Sequence, residues 1–373
     1  MENSKWETVK LGDWASFVTG KLDSNAATPD GAYPFFTCSR ETFRTDTFAF
    51  DTECVLLAGN NAAGIFPLKY FEGKFDAYQR TYIIEPLERT KLSTRFLYYV
   101  LRLQLEYMKS ISTGAATKFL TKTILDNLEI TIPEFDVQRK IADVLSAYDD
   151  LIEVNARRIR VLEAIAQTVY REWFGNVDAK SLPRGWRISR LSEIVENIRE
   201  TTDAGSHLDD LPYVPIDSLP RHSLALSESK PGTEAQSSLI LFKKNDILFG
   251  AMRSYFHKVV VAPFDGVTRS TCFVLKPTSR SIYSYAVMTV FQDEAVAYSH
   301  AHSRGATMPY AVWSGSFSDM PTIIPPNDLL EKFNDIIKPM LETIQLSYFR
   351  QTNLRRTRDL LLPRLVSGEV VIG

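Results

Sequence analysis

Cysteine is scarce, with 3 in 373 residues. Cys38, Cys54 and Cys272 form no C-x-x-C pair and no even set. That excludes a disulfide-stapled scaffold and a thiolate zinc finger, and it predicts a reducing, cytoplasmic setting. Histidine is nearly as thin, with 5 in all. His300-x-His302 has no Cys or third His at ligand spacing, so a surface or loop pair is predicted and no metal centre. Long apolar runs are missing too. Windows such as 53–67 fall far short of the roughly 20 residues a spanning helix needs. The opening MENSKWETVKLGDW lacks the apolar stretch of an export signal. Nor does one sign of charge dominate: 43 basic against 45 acidic residues leave a net charge of −2, which excludes a polycationic binder and still permits a locally basic groove.

Catalytic constellations are equally absent. Thr19-Gly20-Lys21 imitates the end of a phosphate-binding loop without its upstream glycine. Ile324-Pro-Pro-Asn327 reverses the order of the Asn-Pro-Pro-aromatic tetrapeptide of amino-methyltransferases, and no Gly-rich cofactor loop accompanies it. No nucleophile–base–acid set can be assembled. A recognition or scaffold component is predicted, not an enzyme.

What the sequence does hold is itself, twice. Trp6-Glu-Thr-Val-Lys-Leu-Gly-Asp-Trp14 returns as Trp186-Arg-Ile-Ser-Arg-Leu-Ser-Glu-Ile194, and Tyr33 of YPFFTCS returns as Tyr213 of YVPIDSL. Val55–Gly64 is echoed by Ile247–Phe256, Tyr78–Pro86 by Val267–Pro277, and Thr113-Gly-Ala-Ala-Thr117 by Arg304-Gly-Ala-Thr-Met308. The offset grows along the way, placing an insertion within Asp217–Asn245. Each unit then meets an Ile-Pro, at Ile132-Pro133 and Ile324-Pro325.

Beyond each Ile-Pro the period changes. Ile141, Leu145, Tyr148, Ile152, Ile159, Leu162, Ala166, Val169 and Trp173 alternate steps of four and three, a coiled-coil seam with Asn155 as its polar intruder. Gly175 is the expected stop. The second copy keeps the register through Phe333, Ile337, Met340, Ile344, Ser347, Gln351, Leu354, Arg358 and Leu361, with Pro363 expected to end it. Short β-rich runs fill the units ahead of these helices, with one amphipathic helix expected in each, around Tyr98–Tyr107 and Tyr283–Tyr298. The expected fold class is α+β: a globule over 1–135, a long helix over 136–178, a second globule over 179–325, and a second helix with its tail over 326–373. The two helices pack as an antiparallel coiled coil.

Two unlike globules on such a ruler suit two unlike halves of a duplex site. Contact candidates are polar loop residues recurring at matched places. Asn60 and Asn61 answer Arg253, Ser254 and Tyr255; Lys118 and Lys122 answer Arg304; Arg80 answers Arg269. Asn reads adenine and Arg reads guanine bidentately, while Ser, Tyr and Lys hold phosphate. Each also has a plain structural reading, as turn or ion-paired scaffold. Residues 1–135 carry 15 basic and 17 acidic side chains and 176–325 carry 15 of each, so DNA affinity requires a concentrated face or partners that supply phosphate contacts. Arginines off the seams, among them Arg157, and the aromatic pairs Trp173-Phe174 and Tyr348-Phe349 are candidates for partner docking.

Two phrases, Leu361-Leu-Pro-Arg-Leu-Val-Ser-Gly-Glu-Val370 and Ile132-Pro-Glu-Phe-Asp-Val-Gln-Arg-Lys-Ile-Ala142, are similar to the conserved-region signatures of the specificity subunit of Type I restriction–modification systems. The twin openings at Trp6 and Trp186 look like starts of that family's target-recognition domains, and the chain resembles the family over essentially its whole length. The second junction departs, because Pro325-Pro-Asn-Asp-Leu-Leu-Glu-Lys-Phe333 lacks the Gln-Arg-Lys core. The resemblance implies that each recognition domain reads one half of an asymmetric bipartite site in double-stranded DNA, and that the helices set the spacer. It also implies docking of two modification subunits, through Gln138, Arg139 and Lys140 among others, and of restriction subunits where present. The chain would then bind no cofactor itself: S-adenosylmethionine for adenine-N6 methylation belongs to the modification subunit, ATP and Mg to the restriction subunit. A stand-alone DNA-binding protein and a protein-only scaffold are the alternative readings.

Overall fold

The computed structural model describes residues 6–61, 64–114, 117–236, 238–370 and 372. Parts of the repeated phrases, at Ala62, Ala63, Ala115 and Ala116, lie outside the described residues, as does Ser237 of the expected insertion. The chain is α+β and divides into two units: residues 1–150 with 355–373, and residues 151–354. Each unit therefore combines one globule with a stretch of both long helices.

The repeat in the sequence is a repeat in hydrogen bonding. In the first unit Glu7–Lys10 pairs antiparallel with Glu129–Ile132, joining Glu7 to Ile132. In the second, Arg187–Arg190 pairs with Pro321–Ile324, joining Arg187 to Ile324. The strand runs at once into a 3-10 turn in both, at Leu11–Asp13 and Leu191–Glu193. The fully buried Leu11 and Leu191 open those turns, and their N–H groups donate to Leu128 and Met320 carbonyls at 2.8 and 2.9 Å. Each globule is thus pinched shut where its chain enters and leaves.

The first globule holds a six-stranded sheet in the order Ala15–Thr19, Thr81–Pro86, Phe50–Ala58, Leu68–Ala77, Tyr33–Phe36 and Phe43–Thr45. Only Tyr33–Phe36 against Leu68–Ala77 is parallel. Val55, Leu57 and Ile84 on one face pack with Phe96, Leu97 and Val100 of the helix Thr94–Leu103, while Phe36, Leu56, Phe75 and Ile83 form a second cluster. The alternation of strand side chains serves both. The second globule splits the same plan into two four-stranded sheets, and Tyr213–Val214 repeats the parallel pairing against Val267–Thr268. The expected single helix per unit is instead two in each: Thr94–Leu103 then Leu105–Ile111, and Tyr283–Val290 then Asp293–Ala301. The second break follows from extended backbone at Gln292, which starts the new helix.

The first long helix runs Phe135–Tyr170 and closes with a π-helical turn Arg171–Gly175, stopping at the expected glycine. Every seam position named from the sequence is buried or half-buried. Within the first unit Ile141, Ala142 and Leu145 share a core with Leu362, Leu365 and Val366. Within the second, Tyr170, Trp173 and Phe174 ring Phe333, and Ile337, Leu341 and Ile344 continue the seam with Ala166 and Ile159. In both, the end of one helix meets the start of the other. The second helix spans Asn327–Val366 and runs through Pro363, correcting the expected stop. A proline there forfeits one backbone hydrogen bond, but Leu362, Leu365 and Val366 on the last turn are buried in the first unit's core, and that burial holds the helix together.

Candidate nucleic-acid interface

One small construction recurs in both units and gathers most of the candidate contacts. In the first, Asn60–Asn61 pairs antiparallel with Lys118–Phe119, and a hairpin closes where Thr113 and Phe119 exchange backbone hydrogen bonds of 3.1 and 2.8 Å. In the second, Met252 and Arg304 both bridge to Tyr310, and Arg304 and Tyr310 exchange bonds of 2.9 and 2.8 Å. Leu120 N–H then donates to Gly59, and Ala311 N–H to Ala251, both at 2.8 Å. Glycine follows the first hairpin residue each time because the turn requires positive φ: +102° at Gly114 and +93° at Gly305. A Cβ on Gly114 would stand 2.1 Å from the Thr117 carbonyl oxygen.

Around this frame the first unit brings together Asn60, Asn61, Arg80 and Lys118. Asn60 Oδ1 accepts from Cys38 Sγ at 3.0 Å, and the exposed Arg80 guanidinium lies 5.6 Å from the Phe119 ring. Sequence reasoning missed Lys109, whose stem converges with that of Lys118 beside Gly64. Lys122 stands apart, exposed on the first turn of the helix Lys122–Asp126.

In the second unit Arg253 is held in left-handed backbone at φ +51°, its N–H donating to Pro309 at 2.8 Å. It caps the 3-10 turn Ser254–Phe256. That turn buries Ser254 to 3 % exposure, which removes it from the phosphate-contact role expected of it. Tyr255 projects outward at 46 % exposure, its ring 5.1 Å from His300. Arg304 lies at the hairpin's mouth, and the exposed Met308 lies within the hairpin. Arg269 lines a neighbouring cleft of about 600 Å³ with Met252, Lys230, Asp217 and Glu234. Another residue not foreseen is Arg221, whose guanidinium sits 4.0 Å from the Phe256 ring. Burial holds the Lys258 ammonium below its ordinary value, and its Nζ donates to the Ile216 carbonyl at 2.8 Å, so this lysine is scaffold.

The candidate docking residues divide by burial. Arg139, Lys140, Arg157 and Phe349 are exposed, and Trp173 is half-buried. Gln138, by contrast, is 1 % exposed. Its Nε2 donates to the Lys91 and Pro133 carbonyls, each at 2.9 Å, and its Oε1 accepts from Ser93 N–H at 3.0 Å. The glutamine of the signature therefore clamps helix to globule and offers nothing to a partner. At the divergent second junction the equivalent position is Leu330, buried at 4 %, and Asn334 Oδ1 accepts from Ser284 instead. Phe174 is enclosed by Trp186, Tyr285 and Phe333, and Tyr348 Oη is 2.7 Å from Ser229 Oγ. These two aromatics are core, not free anchors.

The C-terminal signature phrase also meets the opening of the first repeat. Gly368, at φ +76°, lies so close to the Trp6 indole that an added Cβ would stand 2.6 Å from its Nε1. Trp6 opens the first repeat and Gly368 belongs to the C-terminal phrase, so the chain's two ends interlock within one unit.

Comparisons with known proteins agree with this architecture. Residues 3–164 match the family described as Type I restriction modification DNA specificity domain. The chain is 28% identical over 364 residues to the Type I restriction enzyme EcoDI specificity subunit of Escherichia coli, covering 86% of this chain and 78% of that protein. It is also 28% identical to the MjaIX specificity subunit of Methanocaldococcus jannaschii, covering 74% and 69%. Among solved structures, the Type-I restriction-modification system S subunit from M. genitalium shares the fold with a TM-score of 0.65 at 18% identity, over 98% of this chain and 97% of that one. With the doubled fold and these relatives together, the chain is similar along most of its length to Type I restriction–modification specificity subunits, and its residues 3–164 match that family's DNA specificity domain.

Proposed function

We propose that this chain is the non-catalytic reading subunit of a Type I complex. Each unit turns its hairpin pair to one half of an asymmetric, bipartite site in double-stranded DNA. The observation that carries this reading is one backbone frame, hydrogen-bonded alike in both units, that displays unlike side chains: Asn60, Asn61 and Lys118 in one, Met252, Arg253 and Met308 in the other. Asparagine matches adenine in the major groove and arginine matches guanine, while Arg80, Lys118, Lys122 and Arg304 suit phosphate. Two copies of an adenine-N6 methyltransferase dock on the long helices, with Arg139, Lys140, Arg157 and Phe349 as exposed contacts, and those helices set the spacer. S-adenosylmethionine belongs to that partner, and ATP with Mg to a restriction subunit where one exists. The near-balance of charge in both globules supports this division, because partners then carry the phosphate contacts that DNA affinity requires.

Co-expression with the cognate methyltransferase, followed by mapping of N6-methyladenine across a methylation-free genome, tests the reading. A split motif with unlike halves and one methylated adenine in each is expected. An assembled, cofactor-loaded complex that methylates nothing, or that marks one continuous motif, overturns it.

A further inference from the structure

Away from the reading hairpins, the second unit draws two imidazoles and a carboxylate to the wall of one cleft. His222 comes from the segment inserted in the second repeat, His257 follows the turn Ser254–Phe256, and Asp293 opens the helix Asp293–Ala301. Their candidate ligand atoms all lie within 4.8 Å of one another. The rings of His222 and His257 have centroids 4.4 Å apart, and His222 N–H donates to the His257 carbonyl at 2.9 Å. Both residues occupy left-handed backbone, at φ +51° and +50°, which a side-chain-bearing residue adopts only where its surroundings compel it.

His257 is the telling member. It is 4 % exposed, and neither ring nitrogen has a hydrogen-bond partner among the described residues. Its Nδ1 lies 2.9 Å from Asp293 Oδ1, which brings the carboxylate directly against the buried ring. Buried polar groups are normally satisfied, and a buried imidazole beside a second imidazole and a carboxylate offers the donor set of a metal site. We propose that His222, His257 and Asp293 bind one divalent transition-metal ion of the zinc type, fixing the Arg253–His257 segment to the helix Asp293–Ala301 and to the inserted segment.

The donor chemistry selects the ion. Two imidazoles and one carboxylate suit zinc, whereas calcium and magnesium favour all-oxygen sets. Ligands held about 2.0–2.1 Å from a tetrahedral ion sit closer together than the present spread. His222 and Asp293 are both exposed and free to rotate inward, the Asp293 side chain at 84% exposure. The fourth position faces a cleft of about 400 Å³ bordered by Arg160, Gln167 and Glu294, open to water. Glu163 supplies the outer support: its Oε1 accepts from Ser223 Oγ and Leu224 N–H, each at 2.7 Å, and so holds the chain next to His222. Ion binding stands apart from the DNA reading; only an effect on Arg253 depends on it.

Chelator-treated full-length chain is titrated with Zn²⁺ against a chromophoric competitor, and with Co²⁺ followed by visible absorption. One ion per chain is expected, with tetrahedral Co²⁺ bands and a Zn²⁺-dependent rise in Tm. His222→Ala and Asp293→Asn alter exposed positions and leave the fold intact. Each should weaken binding by at least the roughly 10- to 100-fold that outer-shell changes cost, while His302→Ala changes nothing. His257→Gln should abolish binding, with circular dichroism reporting whether the chain stays folded. Folded wild-type chain that takes up no ion overturns the proposal. So does stoichiometric binding that survives both His222→Ala and Asp293→Asn, because the ion then sits elsewhere.

Discussion

Gln138 and its neighbours Arg139 and Lys140 are adjacent in one signature phrase yet face different surroundings, the first buried and the other two exposed. Gln138→Ala strips three hydrogen bonds and leaves the Ser93 N–H without its side-chain acceptor, so a loss of about 1–3 kcal/mol is expected in denaturant unfolding. Arg139→Ala with Lys140→Ala should leave the unfolding midpoint within about 0.5 kcal/mol of wild type and weaken methyltransferase capture instead. An unchanged midpoint for Gln138→Ala would remove the clamp from the account. Glu163 offers a second residue-scale test, through pH. Burial raises its carboxyl above the ordinary value of 4.5, against the opposing pull of the Ser223 and Leu224 hydrogen bonds. The folded state therefore holds the proton more tightly than the unfolded chain does, and this residue's contribution to stability falls as pH rises from the ordinary value through the raised one. Glu163→Gln keeps the acceptor and removes the charge, so its Tm should gain on wild type as pH climbs from about 4.5 toward neutrality. Parallel Tm profiles would rule this out.

At the scale of elements, the polar breaks in the seams prove unequal. Asn155 Nδ2 donates to the Leu151 carbonyl at 2.9 Å, and Ser347 Oγ to Thr343 at 2.8 Å, so both are spent inside their own helices. Arg358 reaches across. Its side chain, 8 % exposed, pairs with Asp149 of the first helix and with Asp359 at 2.9 Å, while Tyr99 Oη donates to Asp149 at 2.6 Å. The Asp149 carboxylate raises the guanidinium's pKa against the downward pull of burial, which is the largest influence on it. Arg358→Leu strands Asp149 and should cost about 3 kcal/mol in unfolding, whereas the double change with Asp149→Leu should recover most of it. Additive losses would mean the pair does not act as one. The hairpins give a matching test. Gly114→Ala and Gly305→Ala force strained backbone and should each cost about 1 kcal/mol or more, with Gly114 the more damaging because its Cβ would stand 2.1 Å from the Thr117 carbonyl oxygen, against 3.1 Å from the Met308 oxygen at Gly305.

What could be read without coordinates followed from period. The seams, the doubling and the stop at Gly175 depend on spacing along the chain, and spacing survives in a sequence. Pro363 departs from its expected role because local propensity favours a stop there while tertiary burial of the last turn prevails. Gln138, Phe174, Tyr348 and Ser254 share one cause: a residue type states what a side chain can bond, not which way it faces. The set His222, His257 and Asp293 was invisible because its members are far apart in the chain and meet only through folding.

For the whole molecule, the repeated frame with unlike fittings implies that the halves of the site can be altered one at a time. On the proposed reading, in which Lys118 holds phosphate, Lys118→Ala should lower affinity alike on all sequences and reduce the slope of log affinity against log salt by about 1. Arg253→Ala should relax the base choice in one half, costing about 1–3 kcal/mol there and leaving the other half's preference unchanged. The most direct trial is therefore N6-methyladenine mapping with the co-expressed methyltransferase, run in parallel for wild type, Asn60→Ala with Asn61→Ala, and Arg253→Ala. Degeneracy confined to one half in the first variant and to the opposite half in the second is the expected result, with the spacer the same in all three. Degeneracy spreading to both halves from either change, or a motif untouched by both, would contradict one unit reading one half.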